Sequence, residues 1–172
     1  MTDEAAAHSR PVGALRRSAD GRGTVRVEDT YRTGVQDLWA AVTEPDRLAR
    51  WIADVDGELR IGGRFTARFT SGWSGPGRVD VCEPPRRLLL TMSPGQPDET
   101  VIEARLTPTG HRTHLVVEER GLPLDDLPFH GAGWQVHLED LAAHLHGGAA
   151  SDWRSRWMEL TPRYRDLEVD PA

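Results

Sequence analysis

Hydrophobic and polar positions change their period twice along this chain. Thr24 to Tyr31 alternates, with Val25 and Val27 on one face and Asp29 and Tyr31 following in step, which predicts a first strand. From Gly34 to Trp51 the period becomes helical, with Val35, Leu38, Trp39 and Val42 at one-, three- and four-residue spacings. Thr43-Glu44-Pro45 interrupts it, and Pro45 suits the first turn of a new helix, so two short helices with a kink are expected. Short alternating segments then return from about Asp54 to Glu119. Phe65, Ala67 and Phe69 share one face against Thr66 and Arg68, and a one-residue slip would bury Arg68. Val79-Val81, Leu88-Met92, Thr100-Leu106 and Thr113-Glu119 supply further strands. Gly62-Gly63 is expected to let a strand bend, and Ser71-Gly77 to form a hairpin turn.

The helical period returns at about His130 and runs to His146, with Trp134, Leu138, Leu141 and Leu145 in one apolar stripe. His146-Gly147-Gly148 ends it. A short extra helix is expected next, capped by Ser151, with Trp153, Trp157 and Leu160 on one face before Pro162. Helix, strands and closing helix are the order that a curved antiparallel sheet needs if one long helix is to lie in its concavity. The space between them suits an apolar ligand.

Length and composition narrow the classes. The 172 residues fit one domain plus some tail. The 21 basic residues are all Arg, so lysine chemistry such as a Schiff base is excluded. A net charge of -6, with Arg interleaved among Asp and Glu, argues against a nucleic-acid partner. Cys82 is the single cysteine, and no apolar run is long enough for a membrane span, so a soluble cytoplasmic protein is expected.

No motif announces a chemistry. His130, His137 and His144 lie two turns apart on one side of the closing helix, roughly 10 Å from one another, too far for a shared metal ion, and they read as a solvated face. Ser71 and Ser74 lack the context of a nucleophile elbow, and Gly72, Gly75 and Gly77 lack the residues of a phosphate loop. Neither a metal site nor a cofactor site is expected. Six tryptophans are more informative, since Trp39, Trp51 and Trp134 sit on elements that should face the sheet.

Several segments together resemble one family. Leu38-Trp39-Ala-Ala-Val-Thr-Glu-Pro-Asp-Arg-Leu-Ala-Arg-Trp51, Gly62-Gly63-Arg64-Phe65, Gly77-Arg-Val-Asp-Val-Cys-Glu-Pro-Pro-Arg-Arg-Leu88 and Gly133-Trp134-Gln-Val-His-Leu138-Glu-Asp-Leu141 are similar to bacterial homologues of the activator of the heat-shock-protein-90 ATPase. The resemblance runs from about Thr24 to His146. It implies the α+β helix-grip fold of the START-like (SRPBCC) superfamily: six to seven antiparallel strands curved around a long C-terminal helix, with two short helices after the first strand.

On that basis residues 1–22 are expected to be a disordered tail, 23–148 the helix-grip domain and 149–172 an extension with a short helix. The leading expectation is a non-catalytic cavity for an apolar small molecule, lined by Trp51, Phe65, Phe69, Met92, Trp134 and Leu138. A cyclase- or lyase-like enzyme is the alternative. It would be marked by a polar pair converging inside the cavity, such as Glu103 or Glu119 near an Arg or His. A co-chaperone-like interaction module, or a homodimer, is the third reading, with Trp153, Trp157 and Leu160 as the docking face.

Overall fold

In the computed structural model, which describes residues 11–172, a single curved nine-stranded sheet holds the molecule together. The strands are β1 (Gly13–Arg17), β2 (Gly23–Tyr31), β3 (Ala53–Gly57), β4 (Arg64–Phe69), β5 (Ser74–Glu83), β6 (Arg87–Met92), β7 (Thr100–Thr109), β8 (Arg112–Leu122) and β9 (Val169–Asp170). They lie in the order β3-β4-β5-β6-β7-β8-β2-β1-β9. Every pairing is antiparallel except the short parallel one between β1 and β9. Two short helices, α1 (Val35–Thr43) and α2 (Pro45–Leu48), follow β2, and Pro45 opens the second as expected. The long helix α3 (Leu127–Leu145) follows β8, and α4 (Trp153–Arg165) packs against it.

Period-two alternation sorts the sheet into two chemistries. Val25, Val27, Phe65, Ala67, Val79, Ile102, Ala104, Leu115 and Val117 are buried in the concavity, while Arg26, Thr66 and Arg68 are exposed. The outer face carries a charge ladder, in which Arg87, Arg105 and Arg120 stand 2.5–2.9 Å from the Glu103 carboxylate. Burial works against ionisation of Glu103, but these arginines outweigh it and hold its pKa below the usual value. Two side chains tie α1 and α3 into the core. Trp51 Nε1 donates to the Ala41 carbonyl at 2.9 Å, and the Tyr31 hydroxyl donates to the Leu138 carbonyl at 3.2 Å.

The structure departs from the sequence expectations in four places. There are nine strands rather than six to seven: residues 13–17, expected in a disordered tail, form β1 beside β2, and Val169–Asp170 of the extension adds β9 beside β1. Leu15 is the reason for β1, being fully buried against the core, whereas residues 1–10 of that tail lie outside the described residues. The hairpin turn is shorter than Ser71–Gly77: Phe69 N–H donates to the Trp73 carbonyl, and Ser74–Gly77 already pair with β4. Gly77 belongs there because a side chain at that position would collide with the Phe65 ring. Gly62-Gly63 lies in the turn before β4, bonded through its backbone to Val79, rather than within a bending strand.

The fourth departure concerns the C-terminal extension. Asp152 rather than Ser151 caps α4, accepting from the Ser155 N–H at 3.1 Å. The helix also runs through Pro162, which frees the carbonyl of Met158 on the exposed side, where solvent can serve it. Leu160 and Tyr164 are fully buried, so the extension is part of the domain core. The Tyr164 hydroxyl donates to Gln135 Oε1 at 2.7 Å and accepts from the Gly13 N–H at 3.1 Å, joining α4, α3 and β1. A Tyr164→Phe variant leaves that N–H without its partner and should lose about 1–3 kcal/mol in a urea titration. An unchanged midpoint would show that the junction holds without the hydroxyl.

Candidate ligand-binding site

Between the sheet and the two C-terminal helices lies a cavity of about 840 Å³. Its wall is aromatic. Trp134 and His137 of α3, Trp153 and Trp157 of α4, and Phe69 and Trp73 at the β4–β5 turn all line it. The rings touch in series, with centroids 5.5 Å apart for Phe69–Trp73, 5.9 Å for Phe69–His137, 5.6 Å for His137–Trp153 and 5.8 Å for stacked Trp153–Trp157. Such edges and faces suit planar, unsaturated guests.

One carboxylate interrupts this apolar wall. Glu119 of β8 is buried, and every donor it receives comes from another part of the cavity. Thr100 Oγ1 of β7 donates to Oε1 at 3.0 Å, and Trp134 Nε1 donates to Oε2 at 2.7 Å. His130 Nδ1 stands 3.2 Å from Oε2. Burial pushes the Glu119 pKa up, but the His130 bond and charge and the Trp134 and Thr100 bonds outweigh it, so the group is held ionised below its usual value. His130 responds in the opposite sense: burial lowers its pKa, the Glu119 bond and charge raise it, and the net shift is upward. Its Nδ1–H then donates to the carboxylate, and 41% of its side chain remains open. Among the described residues its other ring nitrogen has no protein partner.

His137 is a buried imidazole of the same wall, and its Nδ1 has no hydrogen-bond partner. Burial pushes its pKa down to about 4 in spite of the Glu119 charge and a backbone bond at Trp51. The expectation of a solvated histidine face is therefore corrected. α4 covers the His137 side of α3, His130 is tied to Glu119 while keeping an open edge, and His144 at the far end accepts from Arg47 Nε at 3.1 Å. Among the described residues no group of three potential ligands could hold a metal ion.

A second, smaller chamber of about 140 Å³, the inner chamber, adjoins the larger cavity between α1, α2 and strands β3 to β8. The six residues expected to line one pocket divide between these spaces. Phe69, Met92 and Trp134 line both chambers, and Trp51 and Phe65 line the inner one alone. Leu138 lines neither, since it is buried where the Tyr31 hydroxyl meets its carbonyl. Cys82 faces the inner chamber, as its reading as an apolar filler suggests. Glu103, weighed beside Glu119, points to the outer face instead. Of the face offered for docking, Leu160 is fully buried and both indoles are half-buried against the cavity. Sequence reasoning left out His130, Thr100 and His137 as lining residues. Their signal was position: His130 is one turn before Trp134 and His137 is three residues after it.

Residues 32–146 match the family model described as Activator of Hsp90 ATPase homolog 1-like protein. The chain belongs to this family. No curated protein matches it. Among solved structures, the crystal structure of CalU16 from Micromonospora echinospora is similar, with a TM-score of 0.76 and 27% identity, covering 90% of this chain and 96% of that one. DynU16, titled as a protein of the dynemicin biosynthetic locus, gives a TM-score of 0.68 at 30% identity, covering 75% of this chain and half of its own. MLL2253 from Mesorhizobium loti gives 0.64 at 29% identity, covering 72% and 97%. The family match ends at His146, so Trp153 and Trp157, two rings of the cavity wall, lie beyond it. Among the described residues of this family member, no helix is long and apolar enough to cross a membrane.

His137 gives this domain an acid sensitivity of known sign. The unfolded chain binds a proton near 6.5 and the folded one only near 4, so the contribution is complete above pH 6.5 and is lost as pH falls toward 4. The loss should reach about 3 kcal/mol at the acid end. Denaturant titrations between pH 7 and 4.5 should show this slope, and a His137→Asn variant should flatten it. An equal slope in both proteins would place the sensitivity elsewhere.

Proposed function

We propose that this domain binds a small, largely apolar molecule with a planar unsaturated portion and at least one hydrogen-bond acceptor, held in the larger cavity. The observation that carries the reading is the Glu119–His130 ion pair set in an aromatic wall. The rings offer area and π faces, and the protonated form of His130, which the Glu119 carboxylate favours, offers a second ring N–H to an acceptor on the guest. DynU16, the 30% identical structure titled as belonging to a biosynthetic locus, supports a small-molecule role for this cavity.

Catalysis is the second reading, because a polar pair does converge inside the cavity. Its two members are unequal. Glu119 already accepts three donors and has a lowered pKa, which makes it a poor base. His130, with a raised pKa and an open ring nitrogen, is the group able to give a proton to a bound carbonyl. Binding needs only that contact, whereas turnover would also need a base, for which the buried His137, with its lowered pKa, is a weak candidate. Binding is accordingly the reading we favour.

Native mass spectrometry of the protein purified under mild conditions should show a co-purifying mass, or acetylnaphthalene should quench tryptophan emission in a saturable titration. His130→Gln should weaken that binding about tenfold, the worth of one charge-assisted hydrogen bond. A clean apo mass together with no saturable quenching would sink the binding reading. Conversion of a bound carbonyl compound that stops with His130→Gln would favour the enzyme.

A further inference from the structure

We infer that the natural ligand is elongated and amphipathic, with a short aliphatic arm that enters the inner chamber while its planar portion occupies the larger cavity. This rests on the binding reading above and adds the shape and polarity of what is bound. The two chambers are neighbours. Phe69, Met92, Ile102 and Trp134 belong to the linings of both, so the partition between them is made of side chains. Met92 is the movable part of that partition, since an unbranched thioether has three rotatable bonds and adapts to irregular space.

Polarity falls steadily along this path. Arg22, Asp98, Asp126 and Arg154 stand at the mouth of the larger cavity, and the Glu119–His130 pair lies deeper. Beyond the partition the lining is apolar apart from Thr43 and the Cys82 thiol. The Thr43 hydroxyl is already committed to the Trp39 carbonyl at 2.7 Å. A guest end that enters this chamber therefore meets no free polar partner and must be hydrocarbon. A volume of about 140 Å³ holds four or five heavy atoms at roughly 30 Å³ apiece. The arm is accordingly about the length of a butyl group. The same gradient sets the orientation, with the acceptor near His130 and the arm pointing toward Ala104 and Val79.

The test compares acetylnaphthalene with its butyl derivative, the chain placed at the ring end opposite the acetyl, both titrated by tryptophan fluorescence. The butyl compound should bind wild-type protein at least about tenfold more tightly, from the buried methylenes. Ala104→Leu and, independently, Ala67→Leu each place extra carbon into the inner chamber, and neither residue touches the larger cavity. In whichever variant remains folded by circular dichroism, the butyl advantage should shrink to about twofold or less, with acetylnaphthalene affinity unchanged. Equal affinity of the two compounds for wild-type protein would overturn the arm and leave the binding reading intact. An advantage that survives in a folded filled variant would also overturn it. Failure of both compounds to bind would remove the binding reading and this inference together.

Discussion

A carboxylate placed among aromatic rings is the constraint on which the rest of this cavity depends. An ionised group taken out of water must be repaid by donors on all sides, or it takes up a proton. Glu119 receives its donors from β7 and from two positions on α3 one turn apart. Those bonds set the rotation of α3 over the sheet. With Trp134 fixed by its indole N–H, His137 is carried between Phe69 and Trp153, and the ring series follows. The polar centre thus keeps the helix at a standoff, where an all-apolar interface would be free to collapse.

The closing helix is covered on two sides, which changes how its sequence should be read. From Gly131 to Leu138 every residue is buried, because the sheet lies on one side and α4 on the other. Gly131 permits that approach, since a side chain there would run into the Tyr164 ring at about 2.5 Å. The extension beyond residue 150 consequently supplies both a wall of the cavity and an anchor for β1 through Tyr164.

Much of the architecture was legible from period alone. The alternation of Phe65, Ala67 and Phe69 gave the correct register, and Pro45 marked the break between the two short helices. Less legible was anything that depends on a distant partner. β1 shows only Leu15 as an inward residue, so its strand character comes from pairing with β2 and β9 rather than from pattern. His137 looked solvated because the apolar stripe of α3 was taken as its single buried side, and nothing local announces that α4 will return to cover the other. Leu138 was assigned to the cavity by its place on that stripe, and it is buried in the core without lining either chamber. Glu119 sits among other carboxylates in sequence, yet it falls in step with the inward Leu115 and Val117 while Glu103 falls out of step with Ile102 and Ala104, so alternation carried a signal for its inward turn.

The strand order also has a bearing on how the chain is made. β2 lies between β1 and β8, and β1 lies between β2 and β9, so both N-terminal strands find their second neighbour only much later in the sequence. During synthesis the span from Tyr31 to Arg112 must be extruded before β2 can pair with β8, a wait of on the order of ten seconds at cellular elongation rates. Throughout that interval the apolar side of β2, with Val25 and Val27, has no sheet to enter, and its edge is open to other nascent chains. The run from β3 to β7 can pair as it emerges, but β1 and β2 join that sheet only once β8 has left the ribosome. The domain's yield in a cell should depend on what shields the early strands until then.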